Sequence, residues 1–350
     1  MHRQEAKERA KSEGVARDTY DVAVVETYHQ HDREGKNQES RRAFAAHPPT
    51  LDAEQQRCLD ALTKDGIAIT SFGSLVGDDD LWARLTADSA AFASVGPSNL
   101  APSDHSGENE ELAELQALLD ACVKKGKEDK AEKVRAKIAK ITSAGTRKDT
   151  FIARQFAHDP SSVIGTPWLD FAASPRVLDV VNSYLKMYVK VRYIDEWYTA
   201  VSNSEAERIT SQRWHRDNDD QYIVKAFLYM NDVGLGSGPF EYIPGSALEG
   251  PYSDIWPWEP LGQMYPPPDE FPQRVPEDSR VTLTGPAGTL ALVNTSGFHR
   301  GGFATESHRV MAIVTYCSPA ALESIVEKGF QVDVDSLPAE TPDSVKLALA

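Results

Sequence analysis

Apolar residues are isolated along the first fifty positions, and only Val22 to Val25 form a cohesive run. Residues 1–50 therefore read as a polar arm with local docking and no core of its own. Periodicity begins at Leu51. In LDAEQQRCLDAL, residues Leu51, Cys58, Leu59 and Leu62 recur at helical spacing; GIAITSF then predicts a short strand, and DDDLWARLTADSAAF a second helix with an acidic first turn. Over 105–148 the pattern changes. Leu112, Leu115, Leu119 and Cys122 repeat at 3-4-3 spacing, as do Ala131, Val134, Ile138 and Ile141, with Gly126 in a charged turn between them. Two short amphipathic helices make a helical hairpin, either a lid or self-association arm or an insertion packed on the flank of the core. From 149 onward β-branched and aromatic runs alternate with Gly, Pro, Asn and Asp: MYVKVRYIDEWYTAV, QYIVKAFLYMNDV, PFEYIPGS, RVTLTGPAGTLALVN and RVMAIVTYCS. Strands at this spacing predict a mainly β sandwich or barrel over 149–350, supported by an α/β segment over 51–104.

Composition narrows the partners. The 350 residues are 41% hydrophobic, enough for a sizeable core. Lys+Arg 37 against Asp+Glu 53 leaves a net charge of −16. The arm is neutral and the hairpin carries +2, so −18 falls on the rest of the chain. A body this acidic is not built to grip nucleic acid or an anionic membrane, which leaves small molecules as the expected partners. Cys58, Cys122 and Cys317 are scattered with no Cys-x-x-Cys, the usage of a reducing compartment. The first residues lack the apolar core of a secretory signal, and no apolar run approaches the roughly 20 residues of a membrane span. We expect a cytoplasmic protein.

Of nine histidines, His215 has the most informative surroundings. It lies in SQRWHRDNDD, two residues before Asp217 with one position between them. On extended backbone residues i and i+2 face one side about 6.6 Å apart, so both reach one ion. Imidazole with carboxylate suits divalent iron and its neighbours better than a cysteine-based zinc site. A later strand ends at His299, and a further one begins at Arg309. His29, His31 and Asp32 could also catch a metal, but no rigid element flanks them.

Taken together, Trp214-His215-Arg216-Asp217, Gly238-Pro239-Phe240-Glu241-Tyr242-Ile243-Pro244-Gly245-Ser246, Ala287-Gly288-Thr289-Leu290, His299 and Arg309 resemble the phytanoyl-CoA dioxygenase-like family of Fe(II)/2-oxoglutarate oxygenases. The likeness covers about 150–320. The gap of 82 residues from Asp217 to His299, and Arg309 ten residues beyond His299, fit that family. It implies a double-stranded β-helix, the jelly-roll of cupin-like proteins, with N-terminal helices and the hairpin as an insertion. It implies Fe(II) on His215, Asp217 and His299, with 2-oxoglutarate and O₂ filling the three positions such a triad leaves open. Arg309 would hold the distal carboxylate of 2-oxoglutarate as a bidentate fork. Where a typical member has a hydroxyl two residues after the distal histidine, this chain has Gly301.

The resemblance also sets an aromatic where Phe227 falls, near the cosubstrate. Lys225, Phe227 and Tyr229 share one face of their strand; facing inward, Lys225 needs an anion, and otherwise it is a rim lysine. Arg154 and Gln155 either line the mouth or pack at its edge. Residues 247–278, with Trp256, Trp258, Met264, Tyr265 and Pro266–Pro268, form a long aromatic loop, which in this family lies over the barrel mouth and would face the substrate. The expected activity is oxidation, most simply hydroxylation, of an unactivated C–H bond in a small metabolite or natural-product intermediate. Three other readings stay open: a halogenase, which would replace Asp217 by Gly or Ala; a cupin-like isomerase or dioxygenase, which would have no use for Arg309; and a metal-binding β-helix without activity.

Overall fold

The computed structural model describes residues 30–31, 35–100, 150–202, 208, 210–248, 250–256, 258, 264–267, 271–275, 279–324 and 327–350, with six helical residues between 101 and 149. Those six are Leu115, Leu118, Leu119, Lys130, Lys133 and Val134. The rest of the expected hairpin, and Val22 to Val25, lie outside the described residues.

In chain order the main elements are α1 (Lys36–Ala46), α2 (Ala53–Asp65), β1 (Ile67–Ser71), α3 (Asp79–Val95), β2 (Ile152–Arg154), α4 (Pro167–Ala172), α5 (Pro175–Leu185), β3 (Lys190–Thr199), β4 (Ile223–Tyr229), β5 (Phe240–Tyr242), β6 (Val281–Leu283), β7 (Thr289–Val293), β8 (His299–Gly301), β9 (Arg309–Cys317) and α6 (Asp343–Leu349). Both expected N-terminal helices form. Asp52 and Gln55 close a reciprocal capping box on α2, and the Asp78 carboxylate accepts from Leu81 N on α3. Gly66 ends α2 with φ 76°, and a Cβ there would stand 2.3 Å from the Tyr242 hydroxyl, so both conformation and space require glycine.

The described strands form a six-stranded sheet in the order β1-β7-β4-β9-β3-β2 and a three-stranded sheet in the order β6-β5-β8, every pair antiparallel. The period of two divides their side chains. Val224, Ala226 and Leu228 of β4, with Ala312, Val314 and Tyr316 of β9, join the core beneath the helices. Phe227 and Tyr229, with Met311 and Ile313, turn to the other face and meet Phe240, Tyr242 and Leu283 of the small sheet. The result is the jelly-roll, with helices packed on the outer face of its large sheet and the site between its two sheets. No described helix is long and apolar enough to cross a membrane.

Two differences from the sequence reading have physical causes. Residues 36–46 of the polar arm form α1, fastened by polar contacts: Asn37 Oδ1 accepts from Ala320 N at 3.0 Å, and Ser40 Oγ donates to Tyr188 O at 2.7 Å. Hydrophobic periodicity cannot show such docking. β3 also breaks its alternation. Val191 pairs with Tyr316 and Tyr193 with Thr315, so Arg192 is an extra residue, a β-bulge. Val191 and Ile194 both pack under the helices, while Arg192 and Tyr193 both face the other way.

Candidate metal centre

The expected triad comes together through backbone pairing. His215 and His299 exchange N–H···O bonds of 3.0 Å each way, and Asp217 N donates to Thr295 O at 2.8 Å. The extended segment His215–Asp217 therefore lies against β8 with both side chains on one face. One ligand atom from each of His215, Asp217 and His299 lies within 4.8 Å of the others, and all three residues are buried.

Each imidazole is already oriented. His215 Nδ1 lies 2.8 Å from Arg213 O and His299 Nδ1 2.9 Å from Gly297 O. A carbonyl only accepts, so Nδ1 carries the proton and Nε2 keeps its lone pair for an ion. Burial, then the neighbouring His299, pushes His215 down to about 3, and burial also lowers His299, so both rings are neutral. Burial acts to raise Asp217, but the Lys225 ammonium reverses it and holds the carboxyl well below its ordinary range. Lys225 Nζ stands 2.6 Å from Asp217 Oδ2, a charge-assisted hydrogen bond. A carboxylate has four lone-pair sites, so this contact leaves others free for an ion. Two neutral imidazoles and one buried carboxylate within reach of a common point fit a divalent iron with three positions to spare.

A cavity of about 260 Å³ opens beside the triad. His215, His299, Lys225, Phe227, Arg309 and Arg154 line it, which brings together most of the residues singled out from sequence. Arg309 is buried; Nη1 donates to Gly238 O, Nη2 reaches Thr199 Oγ1 at 3.4 Å, and Nε has no partner. Burial pushes its pKa down, opposed by Tyr229. At Gly301 an added Cβ would lie 3.7 Å from Arg309 Nη2, so the missing side chain leaves open space at the guanidinium. Phe227 stacks obliquely on Phe240 at 4.5 Å. Arg154 is tied to Asp195 at 2.7 Å and to the Tyr193 hydroxyl.

The other candidates stand outside the cavity wall. Tyr229 is fully buried, donating to Leu283 O and accepting from Phe240 N, a clamp between the sheets. Gln155 Nε2 donates to Asp88 at 2.8 Å, toward α3. Trp256 packs against the cluster of Trp214, Ile243, Phe271 and Phe298. Trp258 approaches the metal segment from behind, with Nε1 donating to Asp217 O at 2.8 Å. Tyr265 of the same loop lies 5.7 Å from the His215 ring. Sequence reasoning missed Tyr193, Trp197 and Thr199 in the wall, which period-two alternation on β3 could have supplied, and Arg192, which the bulge hid.

No curated protein matches the chain. Three solved structures are similar in fold at low identity: the epimerase SnoN in complex with Fe3+, alpha ketoglutarate and nogalamycin RO (15% identity, TM-score 0.46, 83% of this chain and 93% of that one); EctD from S. alaskensis with 2-oxoglutarate and 5-hydroxyectoine (14%, 0.44, 86% and 90%); and AviO1 from Streptomyces viridochromogenes Tue57 (16%, 0.39, 78% and 97%). The model of the phytanoyl-CoA dioxygenase family matches residues 106–310. That span takes in the hairpin segment, which the sequence reading had set outside the resemblance. It covers more than half of the chain and holds His215, Asp217, His299 and Arg309, and the chain belongs to the phytanoyl-CoA dioxygenase family of oxygenases that use Fe(II), 2-oxoglutarate and O₂.

Proposed function

We propose that this protein hydroxylates an unactivated C–H bond of a small molecule, a metabolite or natural-product intermediate, while 2-oxoglutarate is decarboxylated to succinate and CO₂. His215, Asp217 and His299 hold Fe(II), Arg309 holds the distal carboxylate of 2-oxoglutarate, and Lys225 and Phe227 complete that pocket. The bound iron and cosubstrate supply the oxidising power. The chain's own residues do the rest. The Arg213 and Gly297 carbonyls aim the two Nε2 lone pairs. Lys225 keeps Asp217 ionised. Arg309 presents an unpartnered Nε–H inside the wall, where a carboxylate pairs strongly. No side chain is required as a general base.

The observation that carries this reading is the convergence of three neutral-or-anionic donor groups within 4.8 Å, in a cavity that also holds a buried arginine with an unmatched donor. The test is anaerobic addition of Fe(II) and 2-oxoglutarate. We expect a visible metal-to-ligand absorption band, stoichiometric iron, and succinate once O₂ is admitted. His215→Ala and His299→Ala should lose all three. Full iron content and succinate formation in His299→Ala would overturn the assignment.

A further inference from the structure

The cavity wall is far more cationic than the protein around it. Arg154, Arg192, Lys225, Arg300 and Arg309 line it, and no Asp or Glu does among the described residues. Four of these cations have a carboxylate behind them: Asp195 at 2.7 Å, Asp219 at 3.0 Å, Asp217 at 2.6 Å and Glu241 at 2.5 Å, in that order. Five positive groups against four negative leave one in excess. A divalent iron and a doubly charged 2-oxoglutarate cancel each other, so the excess survives loading. A wall of this sign inside a chain of net charge −16 is a local field built for an anion.

Unmatched donors show where that anion sits. Three stand on the inner face of the large sheet, grouped at its opposite ends. Arg309 Nε marks the first end, and Gly301 beside it marks the pocket proposed for 2-oxoglutarate. At the second end, Arg192 Nε and Thr315 Oγ1 are both buried without a partner. Thr315 stands opposite Tyr193 on one side and Lys225 on the other, so it shares a row with the bulge. It is six residues from Arg309 along β9, about 20 Å of strand, a span that a five-carbon diacid cannot bridge. The triad lies between the two ends: Lys225, the neighbour of Thr315, touches Asp217, and His299 shares a three-residue strand with Gly301, which lies beside Arg309. Asp219, two residues beyond Asp217, holds Arg192 Nη1 at 3.0 Å and leaves the rest of its fork toward the cavity. A buried donor without a partner costs free energy until a ligand meets it.

Resting on the oxygenase reading, the geometry points to a substrate that bears an oxyanion, a carboxylate or a phosphate, held by Arg192 and Thr315 across the metal from Arg309, with its body against Tyr193 and Trp197. The bulge at Arg192 is the device that turns this side chain into the cavity.

The test uses the Fe(II)-loaded protein with saturating 2-oxoglutarate under anaerobic conditions. Isothermal titration compares 3-phenylpropionate, phenyl phosphate and the neutral 3-phenylpropionamide. We expect at least one anion to bind tenfold or more tighter than the amide, and the better anion tells carboxylate from phosphate. Arg192→Met should reduce the preference below twofold with 2-oxoglutarate affinity unchanged. Arg192→Lys should keep part of it, and Thr315→Val should lose a few-fold. Equal binding of all three probes, no binding of either anion, a preference that survives in Arg192→Met, or displacement of 2-oxoglutarate by the anions would each overturn the proposal. The two readings fail separately. Anion preference through Arg192 with no visible band overturns the oxygenase reading alone; a visible band with no preference overturns this one alone.

Discussion

Glu196 shows what burial does to a single carboxyl away from the metal. It is fully buried on the helix side of β3, with Ser89 Oγ donating to Oε1 at 2.5 Å and Oε2 unpartnered. Burial, opposed by that hydroxyl and assisted by Asp88, pushes its pKa up to about 8 from the ordinary 4.5. The folded state therefore holds a proton that the unfolded chain releases near 4.5. Stability is unaffected by Glu196 below that pH, falls as pH rises toward 8, and stays reduced above it, by an amount on the order of 4 kcal/mol. Glu196→Gln should raise the melting temperature at pH 9 and leave it nearly unchanged at pH 4; an offset independent of pH would refute this. Arg309 is the opposite case, a buried cation that needs its ligand. Arg309→Ala should weaken 2-oxoglutarate binding by roughly 2–5 kcal/mol, the cost of leaving one member of a charged pair unmatched. Iron content should hold. An unchanged 2-oxoglutarate titration would move the anchor to Lys225.

Among elements, described residues of the 247–278 loop touch the segment that carries His215 and Asp217. Trp258 donates to Asp217 O, and Arg216 N donates to Met264 O at 3.1 Å, so the loop braces the segment that presents two ligands. Trp258→Phe keeps the ring and removes the donor, worth about 1 kcal/mol. Iron release to a chelator should quicken about five- to tenfold with the melting temperature held within a few degrees. An unchanged release rate would return Trp258 to packing alone. His215 and Asp217 were legible in the sequence because extended backbone has a period of two, and His299 and Arg309 because their spacing carries the family resemblance. Trp256 and Trp258 share that local spacing, but their partners, the Trp214 cluster and the Asp217 carbonyl, are fixed by the path of the chain in space. α4 and α5 follow a stretch that the strand-rich reading passed over, although Pro167 and Pro175 stand at their first turns. Arg192 was unreadable for a different reason: one extra residue inverts its side, and nothing in KVRYIDEWYT announces where the ladder slips.

At the scale of the whole molecule the metal site and the main core are separate. The larger core lies between the large sheet and the helices, around Trp168, Phe171, Leu178 and Tyr316, and none of the three ligands belongs to it. Removing iron with a chelator should leave the far-ultraviolet circular dichroism unchanged and the melting temperature within several degrees, unlike small domains whose folding free energy is their metal-binding free energy. Collapse of the fold on chelation would show that the sheets are held by the ion. The order of the large sheet has a further consequence, for the protein's birth on the ribosome. β1, β4 and β3 are all made early, but β7 separates β1 from β4 and β9 separates β4 from β3. At roughly 5–20 residues per second, the nascent chain carries β1 unpaired for about 10–45 s before β7 is made. Before β9 is made, β1-β7-β4 and β3-β2 can pair only as two separate groups, and β9 is the strand that joins them into one sheet.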